Sequence, residues 1–155
     1  MRMGKDKDFQ EVRVVDIELA SGYQEACVLY EDIDKFIRLI DRGEEEFLII
    51  DSADSYLQFY GVDGWFVGET RINLPDGDFR TYELVNQEKN HLTQVVRFET
   101  PYGVYRPQER YIVSLEMIRQ IVRAYYGNED YDAFLQEISC EDITQETKRY
   151  MGLKK

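Results

Sequence analysis

The chain has 155 residues, a formal net charge of -12 and an apolar fraction of 43%. That length suits one domain with a sizeable core, and the apolar content sets the acidity apart from that of a disordered chain. The negative charge argues against nucleic acid and anionic membranes as partners, and no run of about 18 apolar residues offers a membrane span.

In chain order, Met1 to about residue 10 reads as a mobile, mixed-charge tail without the apolar stretch of a secretory leader. Residues 11–140 read as a single α+β domain. Glu11–Leu19 alternates roughly and is expected to be a strand, with a bulge near Val14–Val15. Gly22 marks a turn, and Ala26–Tyr30 is expected to be a short apolar strand. Glu31–Asp41 carries Ile33, Phe36, Ile37 and Ile40 at helical spacing and stops at Gly43. Phe47–Asp51 is a fully apolar strand. Tyr56–Tyr60 and Trp65–Ile72 flank Gly61-Val-Asp-Gly64, which is good hairpin chemistry. Leu74-Pro-Asp-Gly77 is a second turn. Phe79–Val85 and Thr93–Thr100 follow as strands around the polar loop Asn86–His91. Ser114–Tyr126 is a helix with Ser114 as its N-cap. Asp130–Ile138 is a shorter amphipathic helix, and residues 141–155 are expected to fray.

Strands, a helix, more strands and then helices predict an α+β fold. Its antiparallel sheet would have about five to seven strands, with helices packed on one face. The other face is then left partly open as a working surface.

The acidity is not spread evenly. Residues 43–69 hold seven carboxylates and no Lys or Arg, and residues 128–147 hold seven more, again with no Lys or Arg. Aromatic residues are interleaved with both. Acid among aromatics suits capture of a basic macromolecule, because opposite potential speeds encounter and aromatics supply contact area. Asp51, Asp54, Tyr56, Tyr60, Asp63, Trp65 and Glu69 are the first candidate contact patch. Glu129, Asp130, Tyr131 and Asp132 are the second. Trp65 has two readings: a core residue between sheet and helix, or an exposed anchor beside Asp63.

Catalytic and metal patterns are thin. His91 is the only histidine and sits in a polar loop. Asp51 and Asp54 could hold a divalent cation after a strand, or simply end the strand. Glu69 with Glu99 could form a glycosidase-like pair, or lie on a solvated face. Cys27 and Cys140 lack metal or redox spacing, and free thiols in a cytosolic protein are expected. No cofactor motif is present, and the chain is expected not to be an enzyme.

One stretch carries a resemblance. Tyr56-Leu-Gln-Phe-Tyr60 leads through the glycine turn to Trp65-Phe-Val-Gly-Glu69. Further on come Tyr111-Ile-Val-Ser-Leu-Glu-Met-Ile118 and Tyr125-Tyr126-Gly127. This layout resembles the small immunity proteins of bacterial polymorphic-toxin systems, over roughly residues 12–130. The resemblance implies a single cytosolic domain that binds a cognate toxin and blocks it without catalysis. A nuclease toxin would suit the charge, since nucleases grip phosphate with cationic surfaces. The alternatives are a regulatory or assembly module that self-associates as a homodimer, and a carboxylate-based hydrolase.

Overall fold

The computed structural model of the chain describes residues 9–138 and 140–152. The expected tail, up to residue 8, and the last three residues lie outside them.

Among the described residues, nine strands and four α-helices follow one another. β1 (Asp16–Leu19) and β2 (Gln24–Glu25) precede α1 (Tyr30–Asp41). β3 (Phe47–Ser52), β4 (Ser55–Val62), β5 (Trp65–Asn73) and β6 (Phe79–Leu84) then form a meander. β7 (Phe98–Thr100) and β8 (Gly103–Tyr105) make a separate hairpin. α2 (Leu115–Gly127), α3 (Tyr131–Glu137), β9 (Cys140–Asp142) and α4 (Thr144–Tyr150) complete the chain. The main sheet has seven antiparallel strands in the order β2-β1-β3-β4-β5-β6-β9. The α+β fold is therefore as the sequence predicts.

The pleat sorts side chains by face. Leu19, Leu48, Ile50, Leu57, Phe59, Phe66, Tyr82 and Leu84 turn towards α1, α2 and α3 and are buried. The helices bring Ile33, Phe36, Ile37 and Ile40, then Ile118, Ile121, Val122, Tyr125 and Tyr126, then Tyr131 and Leu135. A bidentate pair between buried Asp34 and Arg119 (2.8 and 3.1 Å) fastens α1 to α2. Phe47–Ile50 is apolar along both faces but buried on one: Leu48 and Ile50 reach the helices, whereas Phe47 and Ile49 lie half-covered opposite.

Five local expectations change. Trp65 is 49% exposed on the face away from the helices, so it does not fill the core. Ala26–Leu29 is not a strand, because Cys27 adopts a left-handed backbone (φ 55°) that breaks the pleat. α1 starts instead at Tyr30, whose N–H donates to Glu11 Oε1 at 2.6 Å. Residues 93–97 do not join the main sheet, for the place beside β6 is taken by β9. The segment expected to fray holds that strand and α4. Thr144 of α4 is buried, and its Oγ1 accepts from Thr81 N–H at 3.0 Å.

The second face is partly roofed. At one end, residues 86–112 cross over it and build a small cluster of Val67, Phe98 and Ile112 with Tyr60, Val96 and Tyr105. At the other, α4 and Met151 approach Phe79 and Arg71, through Lys148 over the Phe79 ring (5.5 Å) and Arg71 Nη2 to Met151 Sδ (3.7 Å). The floor between is left to polar side chains.

Candidate partner-binding face

Register fixes what that floor carries. Glu18 pairs with Ile49, Ile49 with Gln58, Gln58 with Glu69, Glu69 with Glu83 and Glu83 with Glu141. This row runs across six adjacent strands on one face. The next row is Asp16, Asp51, Tyr56, Arg71 and Thr81. Six carboxylates thus share the face: Asp16, Glu18, Asp51, Glu69, Glu83 and Glu141. Like charges directly opposite one another repel, so such rows are a cost to the fold.

The acids respond to their surroundings. Burial, reinforced by Glu69 and Glu141, raises the Glu83 carboxyl to about 7, against an opposing pull from Arg110. Burial raises Glu69 too, with Arg71 opposing. Asp51 is raised by burial and then by Asp16 and Glu18. Glu141 is the best-partnered of the six. Arg110 Nη1 reaches it at 3.2 Å, and the Tyr111 hydroxyl donates to its other oxygen.

Aromatic side chains border the acids. Tyr60 packs against Tyr105 (centroids 4.5 Å apart), and Phe98 lies between Tyr60, Tyr105 and Trp65. The Tyr105 hydroxyl donates to Glu46. Val95, Tyr102 and Val104 are exposed on the same crossing segment. The guanidinium of Arg71, on this face of β5, lies over the rings of Phe79 (4.1 Å) and Tyr56 (5.5 Å).

The β4–β5 turn is built by its own residues. Asp63 and Gly64 both have positive φ (50° and 82°), the geometry of a two-residue hairpin turn. Asp41 at the end of α1 accepts from both backbone N–H groups, through its carbonyl at 2.7 Å and its Oδ1 at 2.7 Å. The turn that presents Trp65 is therefore anchored to the helix layer.

Of the first candidate patch, the structure brings Asp51, Tyr56, Tyr60, Trp65 and Glu69 to one face. Asp63 stands at the hairpin tip next to Trp65. Asp54 stands apart at the far end of β4, in the β3–β4 turn. It accepts from Ser52 and Ser55 (3.0 and 2.9 Å) and lies 3.6 Å from Arg13. Burial pushes its carboxyl up, but the two hydroxyls and Arg13 outweigh that and hold it below the usual range.

The second candidate patch lies on the helix layer, where Glu129 and Asp130 are exposed, Asp132 is half-buried and Tyr131 is buried. Tyr131 is a correction: it is 2% exposed, a core residue whose hydroxyl meets that of Thr70 at 3.0 Å. Asp130 caps α3 through Ala133 N–H (3.0 Å). Asp132 is engaged by Arg80 and by the Tyr82 hydroxyl, both at 2.7 Å. Glu129 is exposed. Glu99 sits on β7 with Arg97 at 2.5 Å, so Glu69 meets Glu83 rather than Glu99.

Asp16, Glu18, Glu83 and Glu141 were missed by reasoning along the sequence. Three of them carried a usable signal. Asp16 and Glu18 alternate with Ile17 and Leu19, and Glu83 alternates with Tyr82 and Leu84, so each could have been assigned to the face opposite the core. Glu141 carried none, because its strand forms only by pairing with a distant one. Among the described residues, no group of three or more His, Cys, Asp or Glu is arranged to hold a metal ion.

No family model matches the chain, and no curated protein matches it. Among solved structures, it is similar to a crystal structure of a hypothetical protein from Neisseria gonorrhoeae. That likeness has 13% sequence identity and a TM-score of 0.49, covering 79% of this chain and 92% of the other.

Proposed function

We propose that this chain is a non-catalytic acidic binding protein that neutralises a basic protein partner. The observation that carries the reading is the set of six carboxylates on the sheet face away from α1–α3, bordered by Trp65 and the aromatic cluster. Opposite potential brings a cationic partner in quickly, and the aromatic border supplies contact area once it arrives. Asp16, Glu18, Asp51, Tyr56, Trp65 and Glu69 are the residues assigned to the contact. In the immunity-protein version, the partner is a cognate toxin, a nuclease by preference, and the acid face covers its phosphate-binding groove.

The test is affinity capture with the tagged protein, washed at low and then high salt, followed by an activity assay on whatever is released. A basic protein that is lost at high salt and loses its activity in the complex supports the reading. Retention that does not depend on salt, or a partner that stays active when bound, contradicts it.

A second reading, carboxylate acid–base chemistry, is favoured by one observation: Glu83, raised to about 7, faces Glu69 directly. Turnover of a glycoside or ester substrate that is lost in both Glu83→Gln and Glu69→Gln would favour it over binding.

A further inference from the structure

We infer that the C-terminal segment Cys140–Gly152 docks against the sheet through a proton-dependent contact at Glu83, tightening as pH falls and loosening as it rises. The inference does not rest on the identity of any partner.

The geometry carries it. β9 is three residues long and pairs only with β6, as Tyr82 with Asp142, Glu83 with Glu141 and Leu84 with Cys140. Its central pair sets two carboxylates directly opposite each other, and Glu69 continues the row on the other side of Glu83. A three-residue edge strand with like charges at its middle pair is a weak attachment.

The groups facing Glu83 come from four elements. Glu69 reaches it from β5, Glu141 from β9, Arg110 and Tyr111 from the turn at Glu109–Tyr111, and Tyr60 from β4. Cys140 of β9 also feels its charge. Arg110 is the one cation among these, and it is already committed to Glu141 and to the Tyr111 hydroxyl (2.6 Å). A neutral Glu83 leaves two carboxylates for that guanidinium to balance. An ionised Glu83 leaves three.

Undocking β9 removes Glu141 from the row and opens Glu83 to water, so the carboxyl is more acidic undocked than docked. Docking therefore weakens as pH rises through the interval between those two values. The remaining anchors titrate elsewhere. Lys148 pairs with Asp78 at 2.7 Å, and that carboxyl is held below its usual range by Lys148 and the Phe79 N–H. Thr144 and Ile143 meet the Thr81 backbone without an ionisable group (3.0 and 2.9 Å).

Amide hydrogen exchange of the full chain reads this directly, with the intrinsic pH dependence of exchange divided out. Protection of residues 140–143 is compared with that of β4 and β5 at about pH 5.5 and about pH 8.5. One pKa unit between docked and undocked states is about tenfold in the docking equilibrium, so a relative fall of about tenfold or more is expected at the higher pH. Glu83→Gln should abolish the fall, and Glu141→Gln should shrink it. Unchanged protection in the wild type, or a full fall that persists in Glu83→Gln, overturns the inference. Should Glu83→Gln not fold, a wild-type-sized fall in Glu141→Gln overturns it equally.

Discussion

Glu69 and Glu83 stand directly opposite each other on β5 and β6, and among the described residues neither forms an ion pair, Arg71 and Arg110 offsetting their charges only from a distance. A sheet built only for stability would place an opposite charge or an apolar pair there. The proposed binding of a basic partner would offset the repulsion between the two carboxylates. Burial and this repulsion also give Glu83 its own contribution to the pH dependence of stability. The folded carboxyl of Glu83 is raised to about 7, above its ordinary value of 4.5. At this site the native state then binds more protons than the unfolded chain between those limits, so the contribution of Glu83 to stability falls as pH rises through that window. Glu83→Gln should leave stability near pH 4.5 almost unchanged and raise it above pH 7 by roughly 1–2 kcal/mol, after discounting for solvent screening. Urea midpoints across pH check this.

Trp65 is the only tryptophan, so its fluorescence reports the face without ambiguity. At 49% exposure it should emit to the red of a core tryptophan and be open to a neutral quencher. Trp65→Ala should cost about 1 kcal/mol of stability or less, since half the ring is already in water. It should weaken capture of the partner far more than it weakens the fold, as expected of an aromatic anchor.

Tyr131 should behave in the opposite way. Its hydroxyl contact with Thr70 and its burial make it part of the core. Tyr131→Phe should lower stability by about 1 kcal/mol through one lost hydrogen bond, and leave partner affinity unchanged. Denaturation and a binding titration on the same variant separate the two effects.

The β4–β5 turn tolerates little. A Cβ added at Gly61 would lie 2.0 Å from the Trp65 carbonyl oxygen and 2.8 Å from Phe66 Cα. Backbone atoms cannot move aside cheaply, so Gly61→Ala should cost about 2–3 kcal/mol. Asp41→Ala, which removes the acceptor for Gly64 N–H, should cost about 1 kcal/mol and loosen the segment that carries Trp65. Thermal unfolding gives the first, and the Trp65 emission gives the second.

Local chemistry was enough to locate most elements. Helical spacing of Ile33, Phe36, Ile37 and Ile40, the Ser114 cap and the Gly61–Gly64 turn each act over a few residues, and each appears where the sequence places it. What depended on distant partners was not legible. β9 exists only because the edge of β6 is free, and nothing within Cys140–Asp142 announces that. The same holds for the site. Residues 128–147 are dense in charge, yet Asp132 is held in an ion pair and Tyr131 faces inward, while Asp130 caps α3 and stays exposed beside Glu129 on the helix layer. The face that gathers the acids takes one or two from each of five strands, so no single stretch of sequence displays it.

The most direct measurement compares partner affinity in two variants of equal charge change. One is Glu18→Gln/Asp51→Asn, on the acid face. The other is Glu129→Gln/Asp130→Asn, on the helix layer. Both lose two negative charges, so any effect of net charge alone is shared. Binding to the captured basic partner should weaken by about tenfold or more in the first and stay within about twofold of wild type in the second. Equal weakening in both would reduce the acidity to a general field, and weakening in the second alone would move the binding surface to the helix layer.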